Sequence, residues 1–310
     1  MVKENILVTG CAGFIGFHLC KSLILDGYQV IGLDDLNDYY DVNLKYARLE
    51  KLGLKKNQLI TSKKKIESFV KTKNFYFSNI SLVDRESIQS IFQEFSPQKV
   101  VNLAAQAGVR YSIDNPYVYA ESNLFGFLNI IELCRKNNVK RLIYASSSSV
   151  YGNNKSNMLN TKDRADSPIS LYGATKRSNE LIAHSYSHLY GLQTIGLRYF
   201  TVYGPWGRPD MAYYIFTKKI LADEPIPVFN NGNMRRDFTY IDDVISGTKS
   251  AIEKNYKCEI FNLGNNKSES LMDLISLIED KIGKKAIIDF EPMQPGDVTS
   301  TCADISYSKE

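Results

Sequence analysis

Short apolar runs alternate along the chain with helical patterns. Ile6 to Thr9, Gln29 to Asp34, Asn74 to Ser78, Lys99 to Leu103, Arg141 to Ser146 and Thr194 to Arg198 read as buried strands, and helix-length stretches separate them. Alternation of this kind implies right-handed βαβ crossovers and a doubly wound parallel sheet, an α/β fold. The interval after the second strand is long, and about 38–73 reads as an insertion that the sheet does not need. After Gly204-Pro205 the texture changes to punctuation by Pro209, Pro225, Pro227, Gly232, Pro292 and Pro295, with short elements between. The expected organisation is a large domain over 1–200 and, over 201–310, mainly a smaller α/β C-terminal lobe, with room for one strand and helix to return to the large sheet.

Composition narrows the class. At 310 residues, 44% hydrophobic and 23% charged, the chain can bury one large core and a second, smaller one. Lys plus Arg is 38 against 34 for Asp plus Glu, a net +4 that is too small to argue for nucleic acid. The densest basic stretch, Lys63 to Lys65 with Lys55, Lys56, Lys71 and Lys73, reads as a solvated surface loop. Five cysteines, an odd number and without CxxC spacing, suggest neither a disulfide framework nor a zinc site, so no metal is expected. The N-terminus enters a strand with no signal-peptide core, and no apolar run approaches the roughly 18 residues of a membrane span. The expectation is a cytoplasmic protein with no membrane and no nucleic-acid partner.

The first strand runs directly into Gly10-Cys11-Ala12-Gly13-Phe14-Ile15-Gly16 and then into a helical pattern, Phe17 to Leu25. A GxxGxxG turn between strand and helix lets the backbone approach a pyrophosphate, and the helix N-terminus offers free N–H groups and partial positive charge. The next strand ends in Asp34, whose carboxylate suits both ribose hydroxyls and repels a 2′-phosphate, so NAD is favoured over NADP. Further on, Tyr172-Gly173-Ala174-Thr175-Lys176 places a phenol and an ammonium at i and i+4 on one helix face. By itself that pair carries little, because Tyr is abundant here. Upstream, however, Ser146 to Ser149 form a hydroxyl cluster at the carboxyl end of a strand, the edge where open α/β sheets bind ligands.

Taken in order, the glycine turn, Asp34, Leu103-Ala104-Ala105, the serine strand with Val150-Tyr151-Gly152, and Tyr172 with Lys176 resemble the extended short-chain dehydrogenase/reductase family, a Rossmann-type fold. Four longer stretches narrow the resemblance: Leu36 to Tyr40, Ala104 to Ser112, Arg198 to Met211 and Arg236 to Asp243 look like UDP-glucuronate 4-epimerases. The resemblance implies an isomerase that uses tightly held NAD to oxidise the sugar at C4 to a transient 4-keto intermediate and then reduce it from the other face. Tyr172 would act as base. Lys176 would hold the nicotinamide ribose and lower the tyrosine pKa, and Ser147, assigned by its offset from Val150-Tyr151-Gly152, would hydrogen-bond the 4-oxygen. The cofactor would be held by Gly10, Gly13, Phe14, Ile15, Gly16, Asp34, Asn37, Asn79, Ile80, Leu103, Ala104, Ala105 and Tyr199, together with Tyr172 and Lys176.

On the substrate side, Arg208 matches the family's carboxylate-binding arginine, and Ser148, Ser149 and Thr201 offer polar donors beside it. Arg236 matches a pyrophosphate arginine, Val228-Phe229 would lie along the uracil, and Asp297 would meet the uridine ribose. Asp242 and Asp243 read as caps of the following helix. Related dehydratases need a side-chain acid and base beside the hydroxyl residue, and Ser147-Ser148-Ser149 offers no carboxyl group. A neutral-sugar epimerase acting on UDP-glucose or UDP-N-acetylglucosamine, and a non-catalytic nucleotide-binding regulator, are the alternatives. The resemblance also implies a homodimer joined through the helices of Tyr117 to Asn137 and Tyr172 to Tyr190, as a four-helix interface. Asn79 and Asn102 stand where such relatives commonly carry Asp and His. The chain stops at Glu310 where relatives usually continue with another helix or two, so a truncated C-terminus is expected.

Overall fold

The computed structural model describes residues 3–55, 70–71 and 74–309. Lys56, Lys63 to Lys65 and Lys73 of the basic stretch, and most of the later part of the expected insertion, lie outside the described residues. In the large sheet, β1 (Asn5–Thr9), β2 (Gln29–Asp34), β4 (Phe75–Asn79), β5 (Lys99–Asn102), β6 (Arg141–Ser147), β7 (Gln193–Tyr199) and β11 (Cys258–Leu263) are parallel. A short β3 (Val70–Lys71) pairs antiparallel with β4 and completes the order β11-β7-β6-β5-β1-β2-β4-β3. All six strands expected from the apolar runs are present, displaced by one residue at most ends.

Both faces of this sheet are covered, which is why its strands carry apolar residues without alternation. Ile6 and Val8 face one core with α1 (Phe14–Leu25), α2 (Val42–Lys51) and α7 (Ile241–Glu253). Leu7, between them, faces the other core with α3 (Arg85–Phe95), α4 (Gly126–Lys136) and α5 (Leu171–Tyr190). The chain runs outward from β1 through β2 to β4, then returns to β5 on the opposite side of β1 and continues through β6 and β7. The crevice beyond the carboxyl ends of β1 and β5 is therefore the topological switch point.

Two helical expectations change. Tyr117 to Asn137 is not one helix: Pro116–Tyr119 leads into a π-helical stretch, Ala120–Phe125, and only then into α4. Asp242 and Asp243 do not cap α7, since Tyr240 holds the cap position without a side-chain bond. They lie in the first turn, where a carboxylate is favoured by the helix dipole.

After β7 the chain enters a smaller lobe at β8 (Thr201–Tyr203). That lobe holds α6 (Ala212–Leu221), β9 (Ile226–Phe229), β10 (Arg235–Tyr240), β12 (Ser268–Ser270), α8 (Leu271–Ile282) and β13 (Ile288–Glu291). Its sheets are small: β10 pairs with β8 and β12, and β9 with β13. Phe216, Ile220, Ile226, Val228 and Ile275 form its separate core. Between these pieces, α7 and β11 return to the large sheet, β11 beside β7. Among the described residues no helix is long and apolar enough to cross a membrane.

Candidate active site

The glycine turn is fixed by close approach. Gly10 has φ +72°, and a Cβ there would stand 2.8 Å from the Ala104 nitrogen. At Gly16 a Cβ would stand 2.0 Å from the Gly10 carbonyl oxygen, so only glycine lets α1 start against the turn. The α1 N-terminus has no side-chain cap and no acidic residue in its first turn, leaving its leading N–H groups for a ligand. Asp34 is held at the end of β2 by the Ala12 N–H (3.1 Å) and the Leu36 N–H (2.9 Å). Burial pushes its pKa up, opposed first by Lys45, whose ammonium lies 3.9 Å away. Lys45 donates to the Asn37 carbonyl (2.7 Å) and side chain (3.0 Å), fixing the loop beside Asp34. With its amide nitrogen turned toward them, Asn79 donates to the carbonyls of Asp34 and Asp35, each at 3.2 Å.

Helix α5 starts at Ser170, whose hydroxyl accepts the Gly173 N–H at 3.0 Å, and this start sets Tyr172 and Lys176 one turn apart on the face toward β6. Lys176, almost fully buried, donates to the Ala145 carbonyl at 2.9 Å, and its ammonium lies 5.8 Å from the Tyr172 ring centre. Desolvation lowers its pKa to about 8. Tyr172 is raised by burial, against the opposite pull of a hydrogen bond with Ser147 and of the Arg208 charge. Burial outweighs both. The Ser147 hydroxyl donates to that of Ser149 at 3.2 Å and accepts the Ser149 N–H at 3.1 Å.

One cavity at the switch point is lined by Gly10, Gly13, Phe14, Ile15, Gly16, Asp34, Asn37, Ile80, Leu103, Ala104, Ala105, Ser147, Tyr172, Lys176, Tyr199 and Arg208. Asn79, Ser148, Ser149, Thr201, Val228, Phe229, Arg236 and Asp297 do not line it. Val228 is a correction: its side chain is fully enclosed in the small-lobe core and has no surface to offer a base. Three of the others gather elsewhere. Arg110 stacks 4.2 Å from the Phe229 ring centre and pairs with Asp297 at 2.7 Å. Arg236 donates to the carbonyls of Arg235 (2.8 Å) and Thr299 (3.3 Å), and burial lowers its pKa against the opposing charge of Asp297. Arg208 is bonded to Asp210, from Nε to Oδ1 at 3.0 Å and from Nη2 to Oδ2 at 2.5 Å. Asp210 raises the Arg208 pKa although burial alone would lower it.

Several residues that sequence reasoning did not assign hold this site together. Thr9 donates to Asn102 at 2.7 Å and accepts the Ala104 N–H at 3.1 Å, so Asn102 fixes the backbone facing Gly10. Asn123, in the π-helical stretch, bonds both backbone groups of Gln106 and donates to Thr175 on α5 at 3.1 Å. Arg48 of α2 is fully buried and donates to the carbonyls of Ala12 (2.9 Å) and Trp206 (2.7 Å), joining the glycine turn to the segment that carries Arg208. Glu180 forms a buried two-bond pair with Arg198, both at 2.8 Å, and accepts the Ser146 hydroxyl at 2.6 Å. Among the described residues no cluster of His, Cys, Asp or Glu has the makings of a metal site.

Residues 6–264 match the family model described as the NAD dependent epimerase/dehydratase family. The chain belongs to this family. Within it, the chain is 48% identical to Protein CapI of Staphylococcus aureus over 321 residues, covering 97% of this chain and 90% of that one. It is 43% identical to the UDP-glucuronate 4-epimerase of Thermodesulfobacterium geofontis, over 98% of this chain and 88% of that one. Among solved members of the family, the UDP-glucuronic acid 4-epimerase of Bacillus cereus, in complex with UDP-glucuronic acid and NAD, superposes with a TM-score of 0.88 at 35% identity, covering 98% and 91% of the two chains. The Rossmann-type α/β fold read from the sequence is the fold of this family.

Proposed function

We propose that this protein is an NAD-dependent 4-epimerase that converts UDP-glucuronate to UDP-galacturonate. The observation that carries the reading is one cavity in which the glycine turn and Asp34 meet Ser147, Tyr172, Lys176 and Arg208. The uncapped α1 N-terminus fits a pyrophosphate, and the Asp34 carboxylate fits the adenosine ribose hydroxyls of NAD. NAD, when bound, supplies a reversible two-electron oxidation at the sugar C4 and adds a positive charge near Tyr172. Tyr172 takes the proton of the sugar 4-hydroxyl and returns it after the ring has turned over, with Ser147 bonded to the same oxygen. Lys176 holds the nicotinamide ribose. Arg208 binds the sugar carboxylate, a charge that a neutral sugar lacks. The Arg110, Phe229, Asp297 and Arg236 cluster receives the uridine diphosphate.

In this reading residues 1–200 with α7 and β11 form the cofactor half, and the rest of 201–310 grips the nucleotide sugar. A homodimer through the segment Tyr117 to Asn137 and α5 is supported by apolar side chains exposed there, Phe125 at 52%, Leu181 at 55% and Leu189 at 65%. Equilibrium sedimentation showing only a 35 kDa species at micromolar concentration would overturn it. A cytoplasmic setting suits five unpaired cysteines.

The deciding experiment is incubation of the protein with NAD and UDP-glucuronate, followed by NMR of the anomeric protons. UDP-galacturonate should form without pentose or CO2. Conversion of UDP-glucose or UDP-N-acetylglucosamine, but not of UDP-glucuronate, would replace the substrate assignment and keep the mechanism.

A further inference from the structure

The arginine proposed to bind the substrate carboxylate already holds a carboxylate of its own chain. Asp210 spans the Nε and Nη2 positions of Arg208, and its Oδ2 also accepts the Tyr39 hydroxyl at 3.2 Å. Both side chains of the pair are partly buried, with about a quarter of their surface exposed. Arg208 lines the cavity beside Tyr172, whereas Asp210 does not, and among the described residues the Arg208 Nη1 has no hydrogen-bond partner. A guanidinium has five N–H groups and two edges able to take a carboxylate. Asp210, which does not line the cavity, takes one edge and leaves the Nη1 edge.

We infer that Asp210, backed by Tyr39, is a positioning residue that fixes Arg208 so that its Nη1 edge is the place where the carboxylate of an acid sugar docks. The inference rests on the UDP-glucuronate reading and goes beyond it, because acid-sugar preference then belongs to the Asp210–Arg208 pair and not to Arg208 alone. An arginine side chain has many rotamers to lose on binding, and a fork pinned beforehand loses less of that freedom per bond formed. Pinning also bears on the fate of the intermediate. A 4-keto glucuronate is a β-keto acid: if its carboxylate turns so that the C5–C6 bond overlaps the C4 carbonyl, CO2 departs. The electron pair of that bond passes into an enolate, and C5 takes a proton from water, giving a UDP-4-keto-pentose. A docked carboxylate held by a fixed fork cannot make that turn.

The test uses the full chain with NAD and two variants, Asp210→Ala and Tyr39→Phe, alongside the unmodified protein. Calorimetric titration with UDP-glucuronate should show Asp210→Ala weakening binding about tenfold to a hundredfold, and Tyr39→Phe about threefold in the same direction. Binding of UDP itself should not change. During turnover, NMR should detect pentose products with Asp210→Ala that the unmodified protein does not form. Equal losses for UDP and UDP-glucuronate, or unchanged binding without pentose, would overturn the inference. If Asp210→Ala does not fold, Tyr39→Phe with unchanged UDP-glucuronate affinity and no pentose overturns it equally. Unmodified protein that leaves UDP-glucuronate unconverted removes the function proposed above, and that outcome is separate from a failure of the variants.

Discussion

The end proposed to hold the cofactor and the end proposed to hold the nucleotide sugar are built on different supports. At the first, the glycine turn, Asp34, Ser147 and Lys176 stand at the carboxyl edge of one large parallel sheet, with helices packed on both faces. At the second, Phe229, Arg236 and Asp297 come from β9, β10 and a loop, two of them on sheets of only two and three strands, and Arg110 of the large half draws two of them together. A sheet edge fixes many side chains at once, because each strand end is placed by its neighbours. A small lobe with its own core places each group more independently, so its geometry can vary while the chemistry of the sheet edge is kept.

The comparison is sharpened most by Tyr172→Phe. Turnover should fall roughly a thousandfold while UDP-glucuronate binding, followed by calorimetry, is retained. Activity kept in that variant would remove Tyr172 from the proton transfer. Next is Glu180→Gln, which leaves Arg198, only 2% exposed, without its full charge partner. Urea unfolding should show a loss of about 3–5 kcal/mol, felt by the large half and by Ser146 beside the reacting groups. Ile275→Ala does the reverse, opening the small-lobe core at a cost of about 2–4 kcal/mol. Hydrogen exchange should rise in α6, α8 and β9 while NAD affinity is unchanged; a loss of NAD affinity would show that the two ends are not separately supported.

The smallest effect is a pH dependence. Burial alone would raise the Glu180 pKa, but Arg198 outweighs it and the net shift is downward. Its contribution to stability is therefore complete above the unfolded value near ~4.3 and is lost as pH falls through the lower folded value. The urea midpoint of the unmodified protein should drop more steeply below that pH than the midpoint of Glu180→Gln. Parallel curves would assign acid lability to other carboxylates.

Legibility in the sequence followed the same division. The strands, the glycine turn and Asp34 were readable because each depends on a few consecutive residues. Arg48, Asn102 and Arg110 were not assigned, because their partners Trp206, Thr9 and Asp297 are distant along the chain. Val228 was placed on the ligand although Ile226 and Val228, two apart on a strand, share its inward face and only Pro227 and Phe229 point the other way. With apolar residues on both faces, that strand carries no polar contrast to show which side is core. The π-helical stretch was hidden because its apolar positions continue the helical pattern on either side.

The place of β11 in the sheet has a consequence for how the molecule forms. Its hydrogen-bond partner β7 is complete at Tyr199, yet β11 begins only at Cys258, after three strands of the small lobe and two helices. The edge of the large sheet is thus closed by a late, high-contact-order pairing, and such pairings are slow because the intervening loop must be closed before they repay it. During synthesis β7 remains an open edge until β8, β9, β10 and then β11 have left the ribosome, and that interval is when the chain is most exposed to wrong strand pairing.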